Sequence, residues 1–241
     1  HAADLRAAEV AAPEAPASPG RADAMRAAIG AAMARSKREI PHYYLQKTVD
    51  LEDALAWLEV GNQRRPVTER LVLPALLLRA VALAALEVPE VNGFYRDGRF
   101  EPSPAVHLGM AIRLRTGGLI APALHHVEEK NPATITVELA DLVGRARRGS
   151  LRSSELTDGT ITVTNLGDLG VDAVFGVIYP PQVALVGFGR VAAAPFVRDG
   201  LLGVHRQVVA TLSADHRVSD GHRGARFLNV LDRLLQAPEA L

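Results

Sequence analysis

The segment SADHRVSDGHRG at residues 213–224 decides how the sequence is interpreted, because it joins the last predicted strand to the last predicted helix. Apolar residues before it predict a strand that ends beside His216, and Asp220 stands at the predicted N-cap of the helix. A side chain held between a strand end and a helix start is rigid yet accessible. An imidazole there can take up a proton at neutral pH and return it, so His216 is a candidate general base. On residue type alone, His216 also fits a surface histidine and Asp220 a simple helix cap.

A second segment, TITVTNLGDLG at residues 160–170, predicts a strand followed by a tight turn. Alternation places Thr160, Thr162 and Thr164 on the face opposite Ile161 and Val163. A row of hydroxyls also fits the solvent side of an ordinary sheet. Thr164 differs from the other two because the turn follows it directly, and a hydroxyl held there can donate to a developing oxyanion.

The order of the predicted elements indicates the fold class. Helices are predicted at residues 22–38, 71–86, 136–148 and 221–236, with a short helix after Asp50, which we expect to cap it. Strands are predicted at residues 43–49, 106–114, 160–164, 183–191 and 208–213, with a hairpin turn at Asp199-Gly200. Helices dominate the first half and strands the second, which favours an α+β fold with a mixed β-sheet and flanking helices over a doubly wound sheet.

Composition excludes several classes of protein. The 27 basic and 27 acidic residues balance, so we expect neither nucleic acid nor a membrane surface as a partner. The apolar run at residues 71–88 is interrupted by Arg79 and predicts a buried helix rather than a membrane span. The absence of cysteine fits a reducing compartment, the cytoplasm or a mitochondrial matrix.

Two regions differ in composition. Residues 1–21 are rich in alanine and proline and predict a flexible linker, whereas residues 22–241 predict one folded domain. Because the chain starts at His1 without a methionine, we expect it to be part of a longer protein.

The motif HRVSDG at residues 216–221, followed by a helix with Phe227 and Leu228, resembles the HxxxDG signature of a known family. That family is the catalytic domain of dihydrolipoamide acyltransferases, the core components of 2-oxo acid dehydrogenase complexes and structural relatives of chloramphenicol acetyltransferase. Further blocks resemble family segments in the same order: SK and PHYY within residues 36–44 (SK…PHFY), Asn92-Gly93 with HLGMA at 107–111 (N…(V/H)xIGVA), GLIAP at 118–122 (GLIxPV), TVTNLGDLG at 162–170 (TxSNLG…G) and YPPQVA at 179–184 (NPPQxAIL). The resemblance covers about residues 22–241.

The resemblance implies acyl transfer between dihydrolipoamide and coenzyme A, in a complex of the pyruvate or branched-chain type. His216 would be the general base, Thr164 the oxyanion donor, and Asp220 would shape the loop through an ion pair with an arginine. Gly118, Leu119 and Asn165 are loop candidates for coenzyme A contacts. Coenzyme A would be a substrate, no metal would be needed, and the lipoyl group would come from a domain absent from this chain.

The resemblance also implies an assembly. Family members form trimers whose sites lie between neighbours, with the histidine from one chain and the serine or threonine from the next, and trimers build a cubic or dodecahedral cage. Thr164 and His216 should therefore meet across an interface. The dehydrogenase and dihydrolipoamide dehydrogenase components would bind through an upstream domain.

The sequence is also compatible with other functions and with other roles for several residues. The chain also fits a stand-alone acyltransferase acting on a small alcohol or amine, or a core scaffold that has lost its chemistry. His222 is interpreted as a bystander, with an auxiliary role at the site as the alternative. His42 is interpreted as structural, and the adjacent pair His125-His126 as surface or interface residues rather than a metal pair. Arg145, Arg147 and Arg148 are interpreted as a solvated helix end that could otherwise contact coenzyme A phosphates.

Overall fold

The computed structural model describes residues 21–114 and 118–241. The predicted linker therefore lies outside the described residues, apart from Arg21, and so do residues 115–117. The helices are α1 (Arg21–Glu39), α2 (Glu52–Gln63), α3 (Leu73–Glu87), α4 (Pro132–Arg148), α5 (Ser153–Thr157) and α6 (Gly221–Gln236). The strands are β1 (His42–Asp50), β2 (Gly93–Arg96), β3 (Arg99–Pro102), β4 (Leu108–Met110), β5 (Ile112–Arg113), β6 (Leu119–Ile120), β7 (Ala123–Leu124), β8 (Ile161–Asn165), β9 (Ala184–Phe188), β10 (Ala192–Arg198) and β11 (Leu201–Asp215).

A seven-stranded mixed sheet organises the molecule, in the order β1-β11-β9-β8-β4-β7 with β10 paired to β11. β9 and β8 are parallel, as are β8 and β4, whereas β11 runs antiparallel to both β1 and β9. The predicted α+β fold with a mixed sheet is therefore confirmed.

Helices cover one face of this sheet and form the core with it. α6 presents the apolar stripe that the sequence predicts, and Phe227, Leu231 and Leu235 on that stripe are fully buried. α3 packs against α4 and α6, and nine of its fifteen residues are buried, so the predicted buried helix is confirmed. Among the described residues, no helix is both long enough and apolar enough to cross a membrane.

An irregular segment, residues 171–183, covers the opposite face of the sheet close to its backbone. The Thr211 hydroxyl on β11 donates to the carbonyl oxygen of Val174 in this segment. A Cβ atom at Gly187 on β9 would lie 2.3 Å from the same oxygen, so only glycine permits this approach. The central strands are thus buried on both faces, which makes them a rigid support for the residues at their ends.

Some boundaries differ from the predictions for local reasons. The predicted strand at residues 106–114 is divided into β4 and β5 at Ala111, whose N–H donates to Val163 of the main sheet. Asp50 was expected to cap α2, but it ends β1, and Leu51 takes the N-cap position while the Asp50 carboxylate accepts from Glu52 N–H at 3.1 Å. The Asp199-Gly200 turn between β10 and β11 is confirmed, with φ of 54° and 78°.

Candidate active site

His216 is the first residue of the connection between β11 and α6. Its backbone N–H donates to the carbonyl oxygen of Pro41 at 3.0 Å, which fastens the connection to the turn before β1. The imidazole itself is exposed. The histidine thus lies where the sequence places it, at the end of a buried strand and open to solvent.

A bidentate ion pair fixes the backbone on both sides of His216. The Asp215 carboxylate is fully buried, and the Arg217 guanidinium donates to its two oxygens, Nε to Oδ1 at 3.0 Å and Nη2 to Oδ2 at 2.7 Å. The guanidinium also lies over the Tyr95 ring, 4.0 Å from its centroid. The hydrogen bond to Asp215 raises the pKa of Arg217, so the guanidinium stays charged. Paired charges of this geometry are strong and directional, so they hold the backbone at His216 in place.

Asp220 acts as the N-cap of α6. Its carboxylate accepts from the backbone N–H of Arg223 at 3.0 Å, and this hydrogen bond lowers the pKa of Asp220 below its usual value. The arginine ion pair expected for Asp220 is therefore made by a different carboxylate in the described chain, that of Asp215. A buried carboxylate at the strand end needs a counter-charge, whereas the exposed Asp220 is satisfied by the helix backbone.

Thr164 lies near the end of β8, and the strand alternates as predicted. Ile161 and Val163 face the apolar core, and Thr162 on the other face donates to Gln182 Oε1 at 2.6 Å. Thr164 is half-buried, and within residues 21–114 and 118–241 its hydroxyl has no hydrogen-bond partner. Asn165 orders the following turn, because its side-chain oxygen accepts from Gly167 N–H at 2.9 Å. The backbone of Thr164 is therefore held by the strand, and its hydroxyl is available to a ligand.

A single chain does not bring Thr164 and His216 together. In the sheet register, Thr164 pairs with Gly187 on β9, and Gly187 pairs with Thr211 on β11. Thr211 precedes His216 by five residues. β8 and β11 run in opposite directions, so their C-terminal ends lie at opposite ends of the sheet. At about 3.3 Å per residue and about 4.8 Å per strand, the two residues are roughly 19 Å apart.

The loop candidates Gly118 and Leu119 lie at the hairpin that joins β5 and β6. Gly118 has a φ of 92°, and its carbonyl oxygen accepts from Leu114 N–H at 3.1 Å. Leu119 lines a cleft of about 400 Å³ together with Thr162 and Gln182. This cleft borders the hydroxyl-bearing face of β8, so Leu119 is near the strand of Thr164.

His42 has a structural role, as the sequence predicts, because both of its ring nitrogens bond to backbone groups. Its Nδ1–H donates to Ile40 O at 2.9 Å, and its Nε2 accepts from the backbone N–H of the fully buried Ile178 at 3.1 Å. Burial lowers the pKa of His42 below the usual histidine value. The ring is therefore neutral, and protonation of Nε2 would break the bond to Ile178.

This geometry predicts acid sensitivity. Because the folded pKa of His42 lies below the unfolded value of 6.5, its contribution to stability is present above that pH and is lost as the pH falls through the folded pKa. We expect His42→Ala to lower stability at neutral pH by about 1–2 kcal/mol, since Ile178 N–H loses its acceptor. Between about pH 7.5 and about pH 5.5, the melting temperature of the variant should also decrease less than that of the parent. Equal losses in the two proteins would contradict the assignment, and the exposed His222→Ala is the control.

The remaining candidates are engaged elsewhere. His125 Nε2 lies 3.2 Å from Asp158 Oδ2, whereas His126 Nδ1 lies 3.5 Å from Glu128 Oε1, and both rings contact His107. His126, Glu128 and Glu129 have ligand atoms within 4.8 Å of one another, a spacing that a metal ion could bridge. They follow β7, four strands away from β11, so they are separate from His216.

Arg145 was interpreted as part of a solvated helix end, but its guanidinium is held by two carboxylates. It forms ion pairs with Asp141 at 2.7 Å and with the buried Glu155 at 2.6 Å. Arg147, Arg148 and His222 are exposed. A guanidinium already shared by two carboxylates is a poor phosphate ligand, so Arg145 joins α4 to α5 instead.

The fold defines a class before any sequence comparison is considered. It is similar to that of chloramphenicol acetyltransferase, with a TM-score of 0.57, 16% identity and coverage of 85% of this chain and 94% of that one. The profile of the family described as 2-oxoacid dehydrogenases acyltransferase (catalytic domain) matches residues 19–241. The chain belongs to this family, which confirms the resemblance found in the motifs.

Individual relatives agree with the family. The chain is 32% identical over 217 residues to the dihydrolipoyllysine-residue acetyltransferase component of the Zymomonas mobilis pyruvate dehydrogenase complex, covering 89% of this chain and 49% of the relative. It is 34% identical over 220 residues to the lipoamide acyltransferase component of the Pseudomonas aeruginosa branched-chain alpha-keto acid dehydrogenase complex, covering 90% and 51%. The chain thus spans about half the length of the curated relatives it matches.

Solved structures show the same fold. A probable dihydrolipoamide acetyltransferase from Listeria monocytogenes has a TM-score of 0.83 at 26% identity, covering 94% of this chain and 96% of that one. The Azotobacter vinelandii dihydrolipoamide acetyltransferase has a TM-score of 0.85 at 24% identity, covering 98% of both chains.

Proposed function

We propose that this chain transfers an acyl group between dihydrolipoamide and coenzyme A, as the catalytic core of a 2-oxo acid dehydrogenase complex of the pyruvate or branched-chain type. One observation carries the assignment of roles. In the Azotobacter vinelandii enzyme, where a serine, a histidine and an asparagine have been studied in the catalytic mechanism, the histidine follows the serine by 52 residues and the asparagine follows the histidine by four. Thr164, His216 and Asp220 have the same separations.

The first step is generation of a thiolate by His216. A thiol with a pKa near 8.5 is mostly protonated at neutral pH, so a base is needed to make the nucleophile. The exposed imidazole of His216 takes the proton of the coenzyme A thiol, and the sulfur forms a bond to the thioester carbonyl carbon of acyl-dihydrolipoamide. The carbonyl electron pair moves onto oxygen and gives a tetrahedral oxyanion.

The second step is collapse of that intermediate. The Thr164 hydroxyl, which has no hydrogen-bond partner in the described chain, donates to the oxyanion. The carbon–sulfur bond to dihydrolipoamide breaks, and imidazolium at His216 returns its proton to the leaving sulfur. The Arg217–Asp215 pair and the Asp220 cap keep the imidazole in place through both transfers. No metal takes part in this sequence of steps.

The active site requires two copies of the chain. Since Thr164 and His216 are roughly 19 Å apart within one chain, the oxyanion donor beside each His216 is the partner subunit's Thr164. A trimer, closed by threefold symmetry, contains three such sites. The chain also shares its fold with the cubic core of a pyruvate dehydrogenase complex, at a TM-score of 0.85 and 24% identity, which supports assembly of the trimers into a cage.

The wider roles belong to the longer protein. The lipoyl group is delivered by a lipoyl domain outside this chain, and the dehydrogenase and dihydrolipoamide dehydrogenase components bind through an upstream domain. The curated relatives of about twice this length support such an organisation. The cytoplasm, or a mitochondrial matrix as for the Neurospora crassa relative, is the compartment we propose.

Mixing two impaired variants tests both the function and the shared site. His216→Ala and Thr164→Ala chains, tagged differently and co-expressed, should regain activity, because some interfaces then pair an intact His216 with an intact Thr164. Random mixing in a trimer leaves about one quarter of the sites intact. The measurement is transfer of acetyl from acetyl-CoA to dihydrolipoamide by the whole mixture of trimers, and detection of both tags in one assembly verifies that the chains have mixed.

Two controls make the result decisive. Each variant alone should stay at or below about one tenth of the parental rate, and a mixture of parent chain with the double variant His216→Ala/Thr164→Ala should fall to about one quarter. No regained activity in verified mixed trimers would show that the two residues do not share a site between subunits.

A further inference from the structure

Tyr43 lies against the proposed base. It is on β1, opposite Ala214 of β11, and its side chain is half-buried. The Tyr43 and His216 rings are in T-shaped contact, with centroids 5.3 Å apart and planes at 71°. This contact restricts the directions in which the His216 imidazole can rotate.

The Tyr43 hydroxyl is hydrogen-bonded to the loop that carries His216. It forms a hydrogen bond of 2.9 Å with Ser219 Oγ. Ser219 is buried, and it lies between His216 and Asp220 in the sequence. Burial raises the pKa of the Tyr43 hydroxyl above its usual value, so the hydroxyl keeps its proton. The backbone N–H of Ser219 donates to Asp215 O at 3.1 Å, which links this bond to the buried strand end.

α6 is shaped to accept the Tyr43 side chain. A Cβ atom at Gly224 would lie 2.8 Å from the Tyr43 hydroxyl oxygen and 2.9 Å from its ring carbon Cε2. Any side chain at Gly224 would therefore displace the ring from its place between α6 and His216.

We propose that Tyr43 is a positioning residue for His216: its ring restricts the imidazole, and its hydroxyl, bonded to Ser219, holds the ring and the loop at a fixed distance from each other. This inference rests on the proposed function of His216 as general base. A base that is displaced by a fraction of an ångström loses rate in the chemical step while the substrates still bind.

The test compares Tyr43→Phe and Ser219→Ala in the acetyl-transfer assay on the assembled protein. Each removes one partner of the same hydrogen bond, so we expect kcat to fall about 10-fold in each, with KM for coenzyme A and dihydrolipoamide unchanged. The double variant should fall no further than either single variant, since the bond can be lost only once. The acid limb of the pH profile should keep its position, because the hydroxyl bonds to Ser219 and not to the imidazole.

Tyr44→Phe is the matched control. Tyr44 is the next residue on the same strand, and its hydroxyl also makes one hydrogen bond, which Lys37 donates, while its ring contacts Phe175 rather than His216. Its kcat should equal that of the parent. Parental kcat in Tyr43→Phe, a change confined to KM, or additive losses in the double variant would overturn the inference.

Measuring His216→Ala beside Tyr43→Phe distinguishes failure of the positioning role from failure of the proposed mechanism. If His216→Ala is inactive while Tyr43→Phe has parental kcat, only the positioning role is lost. If His216→Ala is fully active, the proposed mechanism itself is wrong.

Discussion

His216→Ala should lower the turnover of acetyl transfer by about 100- to 10,000-fold, the range typical of losing a general base. Without the imidazole, deprotonation of the coenzyme A thiol depends on solvent, and the leaving sulfur has no nearby proton donor. The exposed ring makes no hydrogen bond that supports the fold among the described residues, so the trimer should assemble normally. The measurement is kcat at saturating coenzyme A and dihydrolipoamide, with size-exclusion chromatography to verify assembly.

The neighbouring histidine provides a control for this prediction. His222→Ala removes an imidazole from the exposed surface of α6, six residues after His216, and should leave kcat within about twofold of the parent. The acid limb of kcat/KM should disappear in His216→Ala and stay in His222→Ala. Near-parental activity in a correctly assembled His216→Ala protein would contradict the role of general base.

Local patterns explain why part of the site could be predicted from sequence. Asp220 follows a strand and precedes an amphipathic helix, so its capping role depends on adjacent residues alone. The facing of Thr164 follows from strand alternation, and His216 follows directly from the end of β11. Each of these features depends on a few consecutive residues.

The other features depend on how distant segments meet. The separation of Thr164 from His216 arises because β8 and β11 run in opposite directions with β9 between them, an arrangement that neither segment encodes. The bidentate pair of Arg217 with Asp215 lies within the motif itself, yet the burial of Asp215 comes from its neighbours in the sheet. The contact of Tyr43 with His216 likewise requires the pairing of β1 with β11, across 173 residues of sequence.

Thr164→Ala should reduce kcat by about 10- to 1,000-fold and leave substrate KM values little changed. The reason is that the hydroxyl donates to charge that exists only in the tetrahedral intermediate and its transition states. In the described chain the hydroxyl has no other partner, so its removal breaks no internal hydrogen bond and should not lower the melting temperature.

Two neighbouring substitutions distinguish oxyanion stabilisation from a change in strand structure. Thr164→Ser keeps a hydroxyl at the same place and should retain kcat within about threefold, because either alcohol can donate. Thr162→Val removes the hydroxyl two residues earlier on the same face, which donates to Gln182, so it should lower stability more than kcat. Parental kcat in Thr164→Ala would remove Thr164 from the mechanism, whereas equal losses in Thr164→Ala and Thr164→Ser would assign the effect to packing. Loss of kcat in Thr164→Ala alone leaves hydrogen bonding to the oxyanion as the explanation, since that is the one interaction with substrate that serine restores and alanine does not.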